Sequence, residues 1–177
     1  MLRCGKKIPD FSCETAAGRE ESFLAGLSAK RTILVFHRFI GCRLCQLSLW
    51  DAARCYPALR EADREVAYVV QSGRENASPV LERLGTPFKV ICDPEGQLYR
   101  LFDVRPAASQ KEMGDPRVIA AEVARAERLH LEKGVLEGDP LQRPALFLID
   151  PEGKICFEHY PQTVYGLPAL SELASLE

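Results

Sequence analysis

Two cysteines separated by two residues, in Cys42-Arg43-Leu44-Cys45, hold the clearest chemical capacity in this chain of 177 residues. They follow Ile33 to Phe36, a β-branched and aromatic run that reads as a buried strand, and they open a segment with helical periodicity. The free N–H groups at a helix start stabilise an anion, so the first sulfur can be a thiolate near neutral pH. Cys45 then lies one turn on, where its sulfur can attack a mixed disulfide or a sulfenic acid on Cys42 and close an intramolecular disulfide. Arg38 and Arg43 can add positive potential to that thiolate. His37 can do so when protonated or exchange a proton when neutral, and its strand-end position equally suits packing.

Other uses of the pair are weaker. Two buried sulfurs could simply fill space on a helix. A closed zinc site needs four ligands, and no second local Cys or His pair supplies them. Covalent haem attachment fails at Gln46, where that signature requires His. The other five of the seven cysteines have no close partner in sequence. Cys55, Cys92 and Cys156 fall in predicted elements and read as inert core sulfurs. Cys4 and Cys13 flank Ile8-Pro9-Asp10-Phe11, where a resolving role stays open.

The elements that must position the pair follow from periodicity. A helix is expected from about Cys42 to Ala62, with Pro57 predicting a kink or an early end. Val66 to Val70 is a second strand. Ser78 to Leu84 is a short helix with Pro79 at its first position. Phe88 to Cys92 is a third strand, closed by Asp93-Pro94-Glu95-Gly96. Pro116 to Lys133 places its apolar residues at helical spacing. Leu146 to Ile149 reads as a central strand, and Pro151-Glu152-Gly153 turns it into a hairpin with Lys154 to Phe157. Leu167 to Leu176 can close the fold as a helix. This order predicts an α/β architecture, a central mixed β-sheet flanked by helices, in one domain over 1–177.

Composition narrows the function classes. The chain is 46% hydrophobic, enough for one substantial core. Its 23 basic and 25 acidic residues balance to −2 without a single-sign run, so no nucleic-acid partner is expected. No apolar stretch approaches the roughly 18 residues of a membrane span. The residues after Met1 lack a signal-peptide h-region, and a cytoplasmic setting with reduced cysteines is the expectation. No dinucleotide fingerprint or Walker loop is present, so no cofactor is expected and electrons would come from a small thiol or a thioredoxin-type dithiol.

Taken together, these residues resemble the thioredoxin-like superfamily, and within it the peroxiredoxin-like proteins of the alkyl hydroperoxide reductase and thiol-specific antioxidant type. Gly5-Lys6-Lys7-Ile8-Pro9-Asp10-Phe11-Ser12 looks like a peroxiredoxin opening. Ile33-Leu34-Val35-Phe36 leading to Cys42 looks like the thioredoxin strand-to-site passage. Phe88 to Asp93, the turn after it, and Leu146 to Ile155 complete the likeness. The resemblance implies a thioredoxin-like fold decorated by an N-terminal extension and by a helical insertion over about 103–139, which would cover the site or form an interface.

The resemblance carries two registers. Cys42 and Cys45 occupy the two thioredoxin cysteine positions. In the peroxiredoxin register Cys45 is the peroxidatic residue and Cys42 the resolving one, while Arg38 stands where the family has a proline and Cys42 where it has threonine or serine. Pro144 resembles the thioredoxin cis-proline, which holds a backbone edge beside the disulfide. Arg143 adjoins, shifted by one residue, the position where peroxiredoxins carry an arginine that supports the thiolate. The leading expectation is therefore a thiol-dependent oxidoreductase cycling Cys42-Cys45, with disulfide-containing proteins or peroxides as substrates. The alternative is a non-catalytic interaction module with structural cysteines. Members of this group often pair, so a homodimer is compatible with the sequence.

Overall fold

The computed structural model describes residues 2–27 and 30–175. Strands β1 (Cys13–Thr15), β2 (Gly18–Glu20), β3 (Arg31–Phe36), β4 (Arg64–Val70), β5 (Lys89–Cys92), β6 (Ala145–Ile149) and β7 (Ile155–His159) form one sheet in the order β2-β1-β5-β4-β3-β6-β7. The strands β3, β4 and β5 pair in parallel, and β1, β6 and β7 join antiparallel. Helices α1 (Arg43–Glu61), α2 (Arg74–Leu84), α3 (Gln97–Leu101) and α4 (Pro116–Arg128) supply the flanks. The architecture is the expected mixed-sheet α/β fold of thioredoxin-like proteins.

The period-two alternation of the central strands divides the core in two. Leu34, Phe36, Ala67, Val69, Phe147 and Ile149 pack on one face with Phe23, Tyr99 and Phe102. Ile33, Val35, Val66, Tyr68, Val70, Leu146 and Leu148 face the other way, onto Leu49, Ala52 and Leu59 of α1 and Ala77 and Leu81 of α2. Each fully buried large side chain contributes about 1.5–3 kcal/mol. Both faces are covered, which is why β3, β4 and β6 read as continuous apolar runs.

Several element boundaries differ from the sequence expectation. Helix α1 has the expected extent, Arg43–Glu61, without an early end at Pro57, whereas α2 begins at Arg74, so Pro79 lies inside it rather than at its first position. Both prolines are exposed, so the carbonyls left without an N–H can reach water, while buried Leu59 and Leu81 hold the helices beyond them. Helix α4 stops at Arg128, five residues short of Lys133, because His130 adopts φ +56°. His130 N donates to Glu127 O and Leu131 N to Ala126 O, a Schellman closure sealed by the packing of Leu131 on Ala126. The closing segment is a 3-10 turn at Leu170–Ser175, and the last residue of the expected helix, Leu176, lies outside the described residues. The hairpin forms as expected, with Gly153 at φ +82° and Asp150 Oδ1 accepting from Lys154 N.

Candidate active site

The passage from β3 to α1 is pinned to the neighbouring strand before it reaches the cysteines. His37 N donates to Val69 O, Gln71 N donates to Arg38 O, and Ile40 N donates to Ser72 Oγ. Tyr99 Oη donates to the carbonyls of His37 and Val69. Cys42 then takes the N-cap position of α1 in an extended conformation, with its carbonyl accepting from Gln46 N. A cap residue projects its side chain toward the first free amides, and here the side chain is a thiol.

Arg38 Nη2 donates to Cys42 Sγ at 2.9 Å, and Nη1 donates to Pro140 O at 3.1 Å. The thiol of Cys45 is a hydrogen-bond partner of Cys42 and the leading cause that lowers the Cys42 pKa, to about 6. The Arg38 charge and the amides of Cys45 and Leu44 act in the same direction, against the cost of burial. Although no close cap hydrogen bond forms, the helix start still favours the anion. Burial pushes the Cys45 thiol well up, and the neighbouring Cys42 sulfur adds to that. The surroundings thus favour the anion on Cys42 and the neutral thiol on Cys45.

The other predicted site residues lie nearby with different partners. Arg43 pairs with Glu127 at 2.8 Å and donates from Nε to Leu131 O. Arg143 pairs with Glu112 at 2.6 Å and donates to Gln162 Oε1. Both charges are answered by carboxylates, and Arg38 alone of the three candidate arginines is seen donating to a cysteine sulfur among the described contacts. The cis geometry expected at Pro144 is corrected: no peptide bond among the described residues is cis. Arg143 O accepts from Gln142 Nε2, and buried Pro144 leads straight into β6 without a tight turn. His37 is turned to Ser48, 2.9 Å from its Oγ, and stacked on Tyr68. Burial, with Arg38 beside it, lowers its pKa to about 3, so the ring is neutral. Burial also pushes Cys13 up to about 11 and Cys92 to about 12.

The site is bordered by a segment far from it in sequence. Residues 131–142, which overrun the expected end of the insertion at about 139, form a strap fastened to the active-site segment and to the connection from β4 into α2. Gln46 Nε2 donates to both Ile40 O and Glu132 O at 2.9 Å. Gly134 N donates to Gly41 O at 2.9 Å, and the backbones are so close that a Cβ on Gly41 would lie 2.3 Å from Val135 O. Glu137 Oε1 accepts from Gly73 N and Asn76 Nδ2, and Gln71 Oε1 accepts from Asp139 N. Cys42 is left 7% exposed and Cys45 1%. A cleft of about 430 Å³ opens beside α1, lined in part by His37, Leu44 and Ser48, but neither cysteine lines it. The one signal that could have found this arrangement is Gln46, a polar residue on the apolar side of a predicted helix beside Cys45.

The described residues contain no group of three or more His, Cys, Asp and Glu side chains placed to hold a metal. None of the described helices is long and apolar enough to cross a membrane.

Comparison with known proteins agrees with this architecture. The mouse (Mus musculus) protein Peroxiredoxin-like 2C is 25% identical over 151 residues, covering 81% of this chain and 67% of its own length. A yeast mitochondrial 1-Cys peroxiredoxin superposes with a TM-score of 0.73 at 17% identity, covering 98% of this chain and 74% of that one. Enterococcus faecalis AhpC superposes with a TM-score of 0.68 at 21% identity, over 98% and 89%. Those two likenesses are of fold. The model of the AhpC/TSA family matches residues 4–157, which include Arg38, Cys42, Cys45 and Arg143, and the chain therefore belongs to the AhpC/TSA family.

Proposed function

We propose that the protein is a thiol oxidoreductase in which Cys42 attacks the oxidant and Cys45 resolves. The observation that carries this reading is the pairing of Arg38 Nη2 with Cys42 Sγ at 2.9 Å, beside a Cys45 thiol that burial keeps protonated. In this assignment the Cys42 thiolate attacks a peroxide oxygen, the O–O bond breaks, and the departing alkoxide or hydroxide takes a proton. The resulting Cys42 sulfenic acid is then attacked by the Cys45 sulfur, which forms the S–S bond and releases water. With a disulfide substrate, Cys42 forms the mixed disulfide and releases the first thiolate. Cys45 then displaces the second thiol. In each case two electrons leave the pair, and an external dithiol or two small thiols must return them.

The strap favours small oxidants. A sulfur 7% exposed beneath residues 131–142 admits a hydroperoxide or a small disulfide more readily than a folded protein. Arg38, which stands where the peroxiredoxin resemblance places a proline, also offers a donor to a peroxide oxygen as charge develops on it.

The test is mass-spectrometric mapping of cysteine states after the reduced protein is titrated with hydrogen peroxide and, separately, with a small disulfide. The Cys42-Cys45 disulfide is expected with both, and Cys45→Ser should trap a sulfenic acid or a mixed disulfide on Cys42. Trapping on Cys45 in a Cys42→Ser variant, with Cys42 inert in Cys45→Ser, would reverse the roles. Absence of the linkage with either oxidant would leave a non-catalytic interaction module as the better account.

A further inference from the structure

Five cysteines take no part in the proposed chemistry, and the fold sorts them. Cys13 and Cys92 belong to the two opposite core faces, and Cys55 packs on the Cys92 side. Cys156 packs partly on that same side too, but it and Cys4 are set apart by a contact with each other. They are 152 residues apart in sequence, yet Cys4 Sγ donates to Cys156 O at 3.0 Å.

The contact belongs to a built edge. Segment 3–8 runs antiparallel along β7 as a partial extra strand: Gly5 N donates to Ile155 O, Ile155 N to Lys6 O and Ile8 N to Gly153 O, around the bridge between Lys7 and Lys154. Gly5, at φ +86°, turns the chain at Cys4, and Lys6 N closes that turn onto Arg3 O. Arg3 is clamped in turn by Glu158 at 3.0 Å and lies over the Tyr160 ring. Cys156 sits where the β6-β7 register slips, the residue of β7 left without a partner between Ile155 and Phe157. Such a bulge re-aims its side chain and bends an edge strand. Cys4 is exposed and Cys156 half-buried, and neither sulfur is bonded.

The fixed lengths of the Cα–C and C=O bonds place Cys4 Sγ within about 6 Å of the Cys156 Cα. The Gly5 N to Ile155 O bond of 2.8 Å joins the peptide groups beside the two cysteines and so keeps their Cα atoms within about 8 Å. A disulfide spans Cα atoms about 4.4–6.8 Å apart, and closure requires the Cys4 side chain to turn from the Cys156 carbonyl and the Cys156 side chain to turn out from the core cluster it packs against. Backbone hydrogen bonds from Gly5 and Ile8 after Cys4, and the Arg3–Glu158 ion pair before it, hold the segment along the edge.

We propose that Cys4 and Cys156 form a second, oxidation-dependent disulfide that fastens segment 3–8 to the edge strand β7. The Cys4 thiolate attacks a small disulfide such as that of glutathione, breaking its S–S bond and releasing one thiolate. The Cys156 thiolate then attacks the Cys4 sulfur and releases the second thiol. Two protons leave the cysteines, and two electrons pass to the small disulfide, which departs as two thiols. This pairing is independent of the role given to Cys42 and Cys45.

The experiment oxidises the full reduced chain with glutathione disulfide, followed by non-reducing digestion and mass spectrometry, on the parent and on a Cys42→Ser/Cys45→Ser variant. A peptide linking Cys4 to Cys156 is expected in both. Its formation should raise the melting temperature of that variant by roughly 5–15 °C, a rise that a further Cys4→Ser change abolishes. If the double variant does not fold, peptide mapping of the parent decides alone. Separate glutathione adducts on Cys4 and Cys156, a Cys4-to-Cys4 cross-link between chains, or persistence of both thiols while Cys42-Cys45 oxidises would each overturn the proposal.

Discussion

Replacing Arg38 by Gln removes the cation 2.9 Å from Cys42 Sγ and keeps an amide of moderate size. An opposite charge so close lowers a pKa by about 1–3 units, and its loss should move the Cys42 midpoint from about 6 to between about 7 and 9. At pH 7 the thiolate fraction then falls from about nine-tenths to between about one-half and one-hundredth. Each remaining thiolate is the better nucleophile, by about threefold for every unit its pKa rises, so a rate at one pH understates the change. The midpoint of the pH profile is the proper readout. Alkylation of the Cys42 peptide by iodoacetamide, followed by mass spectrometry across pH, measures it. Below the midpoint the thiol is protonated and the rate falls; above it the rate is flat. His37 should add no step in the neutral range, because it is already uncharged there. A profile for Arg38→Gln that overlies the parent would refute the assignment of Arg38 as a support of the thiolate.

Cys45→Ala should raise the same midpoint, since its thiol is the leading cause of the lowered value, while Cys45→Ser keeps a hydroxyl donor and should move it less. Gly41→Ala should destabilise the fold by about 1–3 kcal/mol in urea denaturation and speed alkylation of Cys42, because the added methyl meets Val135 O and displaces the strap. His130→Gly should stabilise by up to about 1 kcal/mol in the same assay, relieving a left-handed conformation at the end of α4.

The backbone of the fold could be read from the residues alone because it rests on local physics. Ile33 to Phe36, Val66 to Val70 and Leu146 to Ile149 are apolar over strand length, and the structure builds its three central strands on them. The Asp150 to Gly153 turn carried its own hydrogen bonds and positive φ angle. The limits of α1 were legible apart from the early end that Pro57 suggested, while those of α2 and α4 were harder, because exposure made Pro79 harmless and because His130, rather than a glycine, ended α4. Side chains near the site were less legible still. Spacing put Arg38 and Arg43, and the family resemblance put Arg143, within reach of the sulfurs, but an arginine turns to its nearest acceptor. Arg43 met Glu127, Arg143 met Glu112, and Arg38 met Cys42.

By itself the sequence singled out the residues proposed for redox chemistry, since two thiols one helical turn apart at a helix start are spaced to act as a pair. It also marked the central strands, through apolar runs of strand length that must be covered on both faces, while the short edge strands β1 and β2 carried no such run. Which sulfur the surroundings favour as the anion is a matter of tertiary structure, because it depends on the Arg38 contact, on the Cys45 thiol beside Cys42 and on the depth of each group. The strap over Gly41 and the meeting of Cys4 with Cys156 are of the same kind. They join parts of the chain about 90 and 150 residues apart, and such contacts are set by how whole elements pack, which no local pattern encodes.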